Sequence, residues 1–175
     1  MNYFEMFGLE EKFAVDTEQL TERFQAIQRS VHPDRFVNSS SQEQLLAVKK
    51  STLVNDAYQT LKKPIKRAEY ILSLRGVEIP NEQQTYSDNM FLMRQMELRE
   101  MLAEVKFADD VDAAVFEVSQ VLETEFEQLF KAMQVLLLEN SESSNIKACE
   151  NLRKLKFYQK LHLELDRLED LLFDD

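Results

Sequence analysis

Only two glycines and three prolines interrupt the 175 residues, and this scarcity constrains the fold more than any other feature. Tight turns between strands draw on Gly and Pro for backbone angles that other residues reach only at a cost, so such a chain has little material for a sheet. Its long stretches run instead on Leu, Glu, Lys, Gln and Met, which lose least on entering a helix. The expected fold class is all-α. An apolar content of 44% is enough for one or two modest cores.

The few punctuating residues mark where helices stop and start. Asp16 is a candidate N-cap with Gln19 three residues on, and Leu20, Phe24, Ile27 and Val31 follow as one buried stripe. Proline lacks an N–H and pushes the preceding residue out of the α region, so that helix stops near His32, ahead of Pro33. The imidazole of His32 and the carboxylate of Asp34 are then held at an exposed turn. After the polar run Val37-Asn38-Ser39-Ser40-Ser41 a second helix is predicted, with Leu53, Ala57 and Leu61 on one face and Val54 and Tyr58 beside them. Pro64 ends it and suits the first turn of a shorter helix to Arg75, which Gly76 closes as the residue after the cap.

Charge divides the chain. Residues 1 to 76 carry 11 basic and 10 acidic side chains, residues 77 to 175 carry 10 and 22, so a net charge of −11 arises as +1 and −12. The acidic part argues against nucleic acid, which needs Lys and Arg gathered on one face, and against an anionic membrane surface. No apolar run approaches the roughly 18 residues of a membrane span, and Met1-Asn2-Tyr3-Phe4-Glu5 has no basic and apolar leader. A cytoplasmic monomer is expected. The single Cys149 excludes an internal disulfide and a cysteine-built metal or cluster site, and His32 and His162 are far apart in sequence. Neither a metal nor a cofactor is expected, and His162, between Leu161 and Leu163, reads as a boundary residue.

Residues 77–87 have no helical period and contain Pro80, so they read as a connection in which Val77, Ile79 and Tyr86 can pack. Three helices are predicted beyond it, over residues 88–175. The first runs from Asn89 to Lys106 with Phe91, Leu98, Leu102 and Val105 inward. Asp109-Asp110 breaks the pattern and can cap the second, whose stripe is Val111, Val115, Val118, Leu122, Phe126, Leu129, Met133 and Leu136. After Asn140-Ser141-Glu142-Ser143-Ser144, the third carries Leu161, Leu165, Leu168 and Leu172. Short breaks between long amphipathic helices imply an antiparallel three-helix bundle. The first helix has more apolar surface than a bundle position needs. Leu92, Met93 and Met96 lie on an adjoining face that continues as Glu97, Glu100 and Glu104, which reads equally as a widened core or as an exposed contact with a charged rim.

Residues 1–76 resemble the J-domain family. The resemblance rests on Tyr3-Phe4, Phe7-Gly8-Leu9, Val31-His32-Pro33-Asp34-Arg35-Phe36, Asn55-Asp56-Ala57-Tyr58-Gln59-Thr60-Leu61 and Lys66-Arg67-Ala68-Glu69-Tyr70. It implies an N-terminal J-domain, a helical hairpin whose turn and preceding basic face engage an ATP-dependent heat-shock chaperone and stimulate its ATP hydrolysis. By that resemblance the chaperone-binding residues are His32, Pro33, Asp34, Arg23, Arg29 and Arg35. The basic face is thin, with Thr21, Gln25 and Ala26 where general J-proteins often carry positive charge, which implies a dedicated chaperone partner.

With Phe91-Leu92-Met93, Glu97-Leu98-Arg99-Glu100 and Leu152-Arg153-Lys154-Leu155-Lys156-Phe157 added, essentially the whole chain resembles the J-type co-chaperones of bacterial iron-sulfur cluster assembly. That resemblance implies two partners, the specialised chaperone HscA at the J-domain and the cluster scaffold IscU at the C-terminal bundle. The scaffold-binding residues it implies are Leu92, Met93, Met96 and Phe157, with Glu97, Glu100 and Glu104 as an acidic rim. Met96 stands where the family has leucine, a change of similar volume. A cysteine-rich N-terminal extension of eukaryotic relatives is absent, so a bacterial form is expected. The alternative is a general J-protein delivering other clients to a DnaK-type chaperone, but the Gly/Phe-rich and cysteine-repeat regions usual in such proteins do not occur. An enzyme built on His32 and Asp34 would need a nucleophile, a pocket and an oxyanion site, none of which the chain supplies.

Overall fold

The computed structural model describes residues 1–80 and 88–173, and every described element is helical. The chain divides into two compact units, one of Met1–Glu78 with Leu137–Asn140 and one of Ile79–Leu136 with Ser141–Asp175. Of the segment expected to connect two domains, Val77 and Ile79 are half-buried, while 81–87, including Tyr86, lie outside the described residues.

The first unit is built around a pair of helices, α2 (Thr17–Val31) and α3 (Ser41–Lys62), with α1 (Tyr3–Met6) and α4 (Pro64–Leu74) packed against them. α1, α2 and α3 each start at a residue whose side chain satisfies orphan N–H groups, whereas α4 starts on Pro64, which has no N–H to satisfy. Asn2 and Glu5 form a reciprocal capping box on α1, Asp16 accepts from the amides of Glu18 and Gln19, and Ser40 accepts from that of Glu43. α4 ends in a Schellman arrangement: Val77 N–H donates to Leu72 O and Gly76 N–H to Ser73 O, both at 3.0 Å, with Gly76 at φ +72°. Phe4, Phe7, Phe13, Leu20, Leu61, Ile71 and Leu72 are buried. Phe24 stacks on Tyr58 with ring centroids 4.0 Å apart, closing α2 onto α3.

Among the described residues of this unit, Arg67 is the one charged group buried in the core. Its guanidinium donates to Leu61 O at 2.7 Å and covers the Phe13 ring at 4.9 Å, while Nε finds no partner. Burial pushes its pKa down to about 10.

Two expectations need correcting here. Leu53 is exposed, and the inward face of α3 is Ala47, Val54, Ala57, Tyr58 and Leu61. On α2 only Leu20 is fully buried; Phe24, Ile27 and Val31 are half-covered because two neighbouring helices do not wrap the whole stripe.

The second unit contains α5 (Asn89–Glu104), α6 (Val111–Glu139) up to Leu136, and α7 (Glu142–Phe173), each antiparallel to the next in sequence. Leu98 of α5 and Val105 of the turn after it meet Val115, Val118 and Leu122 of α6 and Tyr158, Leu161 and Leu165 of α7 in one core. The helical turn at Val105–Phe107 tightens the end of α5, and Asp110 accepts from the Ala113 amide to start α6. Ser141 and Ser144 exchange backbone-to-hydroxyl bonds of 3.0 and 2.8 Å at the start of α7.

The buried residue near the end of α6 is Leu137, not Leu136, and Leu172 is exposed. The first half of α7 is as buried as the predicted second half, through Ser144, Asn145, Ala148, Cys149, Asn151, Leu152 and Leu155. At roughly 1.5 Å per residue α6 and α7 run to about 43 and 48 Å, whereas α5 spans about 24 Å. The short helix therefore lies along only part of the long hairpin.

Candidate partner-binding surfaces

The turn after α2 organises itself. His32 sits at φ −60°, ψ 132°, off the helix as a residue before proline must be, and serves both as the C-terminal cap of α2 and as the N-terminal cap of the turn Pro33–Phe36. Its Nδ1 accepts the Asp34 N–H at 3.2 Å. In the neutral ring the proton is then on Nε2, which leaves a donor on the far side of the ring. The Asp34 carboxylate lies 3.5 Å from the same Nδ1, and the two side chains are 88 and 52% exposed. Arg35 N–H donates to His32 O at 3.0 Å, and its guanidinium donates to Arg29 O at 3.1 Å, tying the turn to the helix end. The Gln44 amide caps the far side, donating to Val37 O and Ser39 O.

Arg29 is exposed on the last turn of α2, near this loop. Arg23 differs. Its guanidinium donates to Phe7 O at 2.7 Å and Gly8 O at 2.6 Å, holding the loop between α1 and α2 in place. Gly8 has φ +62°, and a Cβ there would lie 3.2 Å from the same guanidinium. Of the three arginines expected at the chaperone face, Arg23 is committed to folding the unit.

On α5 the outer face is open. Leu92, Met93 and Met96 are 55, 63 and 67% exposed, so they do not widen the core, whereas Leu98 is 1% exposed. Glu97, Glu100 and Glu104 are exposed and continue from Met93 along one row. Phe157 lies at the boundary. It is half-buried, meets Phe91 edge-on at 5.6 Å and carries the Arg99 guanidinium 5.6 Å from its ring centroid. Its packing serves the contact between α5 and α7 as well as any outward surface.

Among the described residues four ionic contacts hold α5, three of them to α6 or α7. Arg94 meets Glu125 of α6 at 2.6 Å and Glu97 at 2.8 Å, Arg99 meets Glu164 of α7 at 3.1 Å, and Asp88, the N-cap, meets Lys154 of α7 at 3.3 Å. Tyr158 O–H donates to the other Glu125 oxygen at 2.8 Å. Burial first, then this bond to an anion, pushes the phenol above its ordinary range, while Glu125 and then Glu97 hold the Arg94 cation more firmly than usual. Sequence reasoning missed Arg94, Arg99 and Tyr158 as residues that position the face. The i, i+3 spacing of Arg94 and Glu97 was a usable signal; the partners on α6 and α7 leave none. Among the described residues no group of three or more His, Cys, Asp or Glu side chains is placed to hold a metal ion, and no helix is long and apolar enough to cross a membrane.

A helical hairpin turning on His-Pro-Asp, backed by a short capped helix and followed by α4, defines a J-domain protein, here with a helical bundle after it. Residues 2–70 match the DnaJ domain family, and residues 87–166 match the family described as the HSCB C-terminal oligomerisation domain. The chain is 59% identical over 175 residues to a Co-chaperone protein HscB homolog of Colwellia psychrerythraea, covering 100% of both chains. It is 47% identical over 174 residues to one of Shewanella halifaxensis, covering 99% of this chain and 100% of the other. Among solved structures it is similar to chaperone HscB from Vibrio cholerae, with a TM-score of 0.89 and 42% identity over 99% of this chain and 100% of that one. Human co-chaperone HscB gives 0.88 and 32% identity over 97% and 82%. The chain belongs to the HscB family of J-domain co-chaperones. Members of this family are not an enzyme class, and they work with Hsp70-type chaperones through the J-domain.

Proposed function

We propose that this co-chaperone brings an IscU-type iron-sulfur scaffold to an HscA-type chaperone in the cytoplasm and stimulates that chaperone's ATP hydrolysis. The observation that carries the reading is the outer face of α5. Three large apolar side chains stand in solvent beside a row of carboxylates, on a helix pinned to both neighbours. Exposed apolar groups with a charged rim are what a protein partner covers, and pinning lowers the entropy lost on binding. Leu92, Met93 and Met96 are the anchors in this reading, Glu97, Glu100 and Glu104 set the approach of a basic partner surface, and Phe157 closes the edge against α7.

His32, Pro33 and Asp34, with Arg29 and Arg35 beside them, form the chaperone contact in the same reading. His32 offers Nε2–H and Asp34 its exposed carboxylate, on a turn held by its own hydrogen bonds. Arg23 supports that contact indirectly, through the loop it straps. The working domains are residues 1–76 and 88–175, joined by 77–87. The protein acts as a monomer, performs no chemistry and carries no cofactor, the cluster being cargo of the scaffold.

Single-turnover ATP hydrolysis by the chaperone, measured with co-chaperone and scaffold separately and together, tests the reading. Asp34→Asn should abolish stimulation and leave scaffold affinity intact. Met93→Ala should keep basal stimulation and lose the synergy with scaffold. Normal synergy in Met93→Ala, or normal stimulation in Asp34→Asn, would overturn it.

A further inference from the structure

Where the acidic row of α5 ends, a groove of about 470 Å³ opens between α5 and α6. Met101, Val105 and Val118 line its floor, and Phe107, Glu104 and Glu117 stand around it. Val105 and Val118 belong to the core, but Phe107 is 78% exposed, with Lys106 Nζ 5.1 Å from its ring centroid. A phenyl ring left mostly in water beside a groove with an apolar floor adds little to this unit's own packing; such a patch marks a surface that a partner covers.

Charge selects the occupant. Between Glu104 and Val118 the chain carries five acids, Glu104, Asp109, Asp110, Asp112 and Glu117, against Lys106 alone. A second copy would bring the same acidic rim and be repelled, so complementarity favours a segment that presents an apolar side chain flanked by Lys or Arg. Position narrows the choice further. Glu104 is shared between this groove and the row that begins at Met93, about 16 Å away along the helix at 1.5 Å per residue. A partner lying along that row reaches the groove without a gap.

We infer that the groove between α5 and α6 is a second anchor point for the scaffold, receiving an apolar side chain flanked by basic residues of the protein that covers Leu92 and Met96. The inference rests on the α5 reading given above. Two separated anchors fix the orientation of the scaffold along α5, which one patch alone does not.

Binding kinetics of purified IscU-type scaffold to the full-length protein provide the test, using Phe107→Ser, Glu117→Lys, Leu92→Ala and the pair Leu92→Ala with Phe107→Ser. Phe107→Ser should raise Kd threefold or more through faster dissociation, with the thermal midpoint unchanged because the ring is exposed. Glu117→Lys, also exposed, should slow association at low salt by a similar factor and lose most of that effect at high salt. The paired variant should multiply the single effects. If Leu92→Ala weakens binding while both groove variants bind as the parent does, the second anchor is refuted and the α5 reading stands. If the groove variants weaken binding and Leu92→Ala does not, the groove is supported and the α5 anchors are wrong; if none has an effect, both fall. A change in sedimentation of the protein alone with Phe107→Ser, at constant scaffold affinity, would assign the groove to a second copy and overturn the inference.

Discussion

Met96 and Leu98 are two residues apart on α5 and should fail in opposite ways when truncated. Met96 leaves 67% of its surface in solvent, and Leu98 leaves 1%. Burying a side chain of this size is worth about 1.5–3 kcal/mol, so the part of Met96 still open to a partner can supply about 1–2 kcal/mol. Met96→Ala should therefore raise the scaffold Kd about fivefold to thirtyfold, mostly through the dissociation rate. Its thermal midpoint should hardly move. Leu98 packs against α6 and α7, where a Leu→Ala cavity costs about 2–5 kcal/mol, a fall of ~10 °C or more for a unit of this size. Calorimetric melting and surface-based binding kinetics on the two variants, at matched salt, separate the cases. The reasoning fails if Met96→Ala melts as early as Leu98→Ala, or if it binds scaffold as tightly as the parent.

Tyr158→Phe should destabilise the bundle by about 1–2 kcal/mol in denaturant titration, since it removes a bond to a charged acceptor while Arg94 still covers Glu125. Gly76→Ala should cost about 1–2 kcal/mol from the left-handed backbone alone, because nothing lies within 4 Å of the new Cβ, and Gly8→Ala should cost more because its Cβ also meets Arg23. The Asp88 carboxylate is held below its ordinary 3.8, by the Phe91 N–H first and Lys154 next, so its capping contribution is complete above 3.8 and is lost as pH falls through the lower folded value. Hydrogen exchange at the Phe91 amide should report that loss only on the acid side of 3.8, and early fraying at milder pH would contradict it. Burial first, then Glu150, raises the Cys149 thiol, so alkylation at mildly alkaline pH should be slow in the native protein and fast in urea; equal rates would show an open helix.

Much of the helical framework was legible because its signals are local. Asp16, Asp110 and Gly76 cap within three residues of themselves, and a stripe such as Val115, Val118 and Leu122 needs only the helical period. What failed depended on which neighbour arrives from elsewhere. Leu53 and Val54 are adjacent and equally apolar, and only the packing of α3 against the other helices turns Val54 inward. The first half of α7 was missed because its buried face includes Ser144, Asn145 and Asn151. Ser144 is satisfied by Ser141, and Asn151 by Leu129 O at 2.7 Å, so they break an apolar pattern without breaking the core. The open face of α5 was visible as a surplus of apolar residues, but its exposure was not, since a surplus can also widen a core. Arg23 shows a role of the same kind that local pattern hides: its position on α2 suits a basic face, and its bonds to carbonyl groups 15 and 16 residues away depend on the fold.

The two faces of α5 carry separable information. Leu98, with Val105 at the cap, specifies how the helix sits in its bundle, and Arg94 and Arg99 lock it there, while Leu92, Met93, Met96, Glu97, Glu100 and Glu104 lie on the exposed side of its 16 residues. Apart from Glu97, which pairs with Arg94, substitutions outside need not disturb the inside, so under the proposed function a handful of exposed positions can change the client on an unchanged chassis. In the proposed reading the helix is a replaceable address label: writing the outward residues of one relative onto the inward residues of another should rewire which cargo reaches the chaperone.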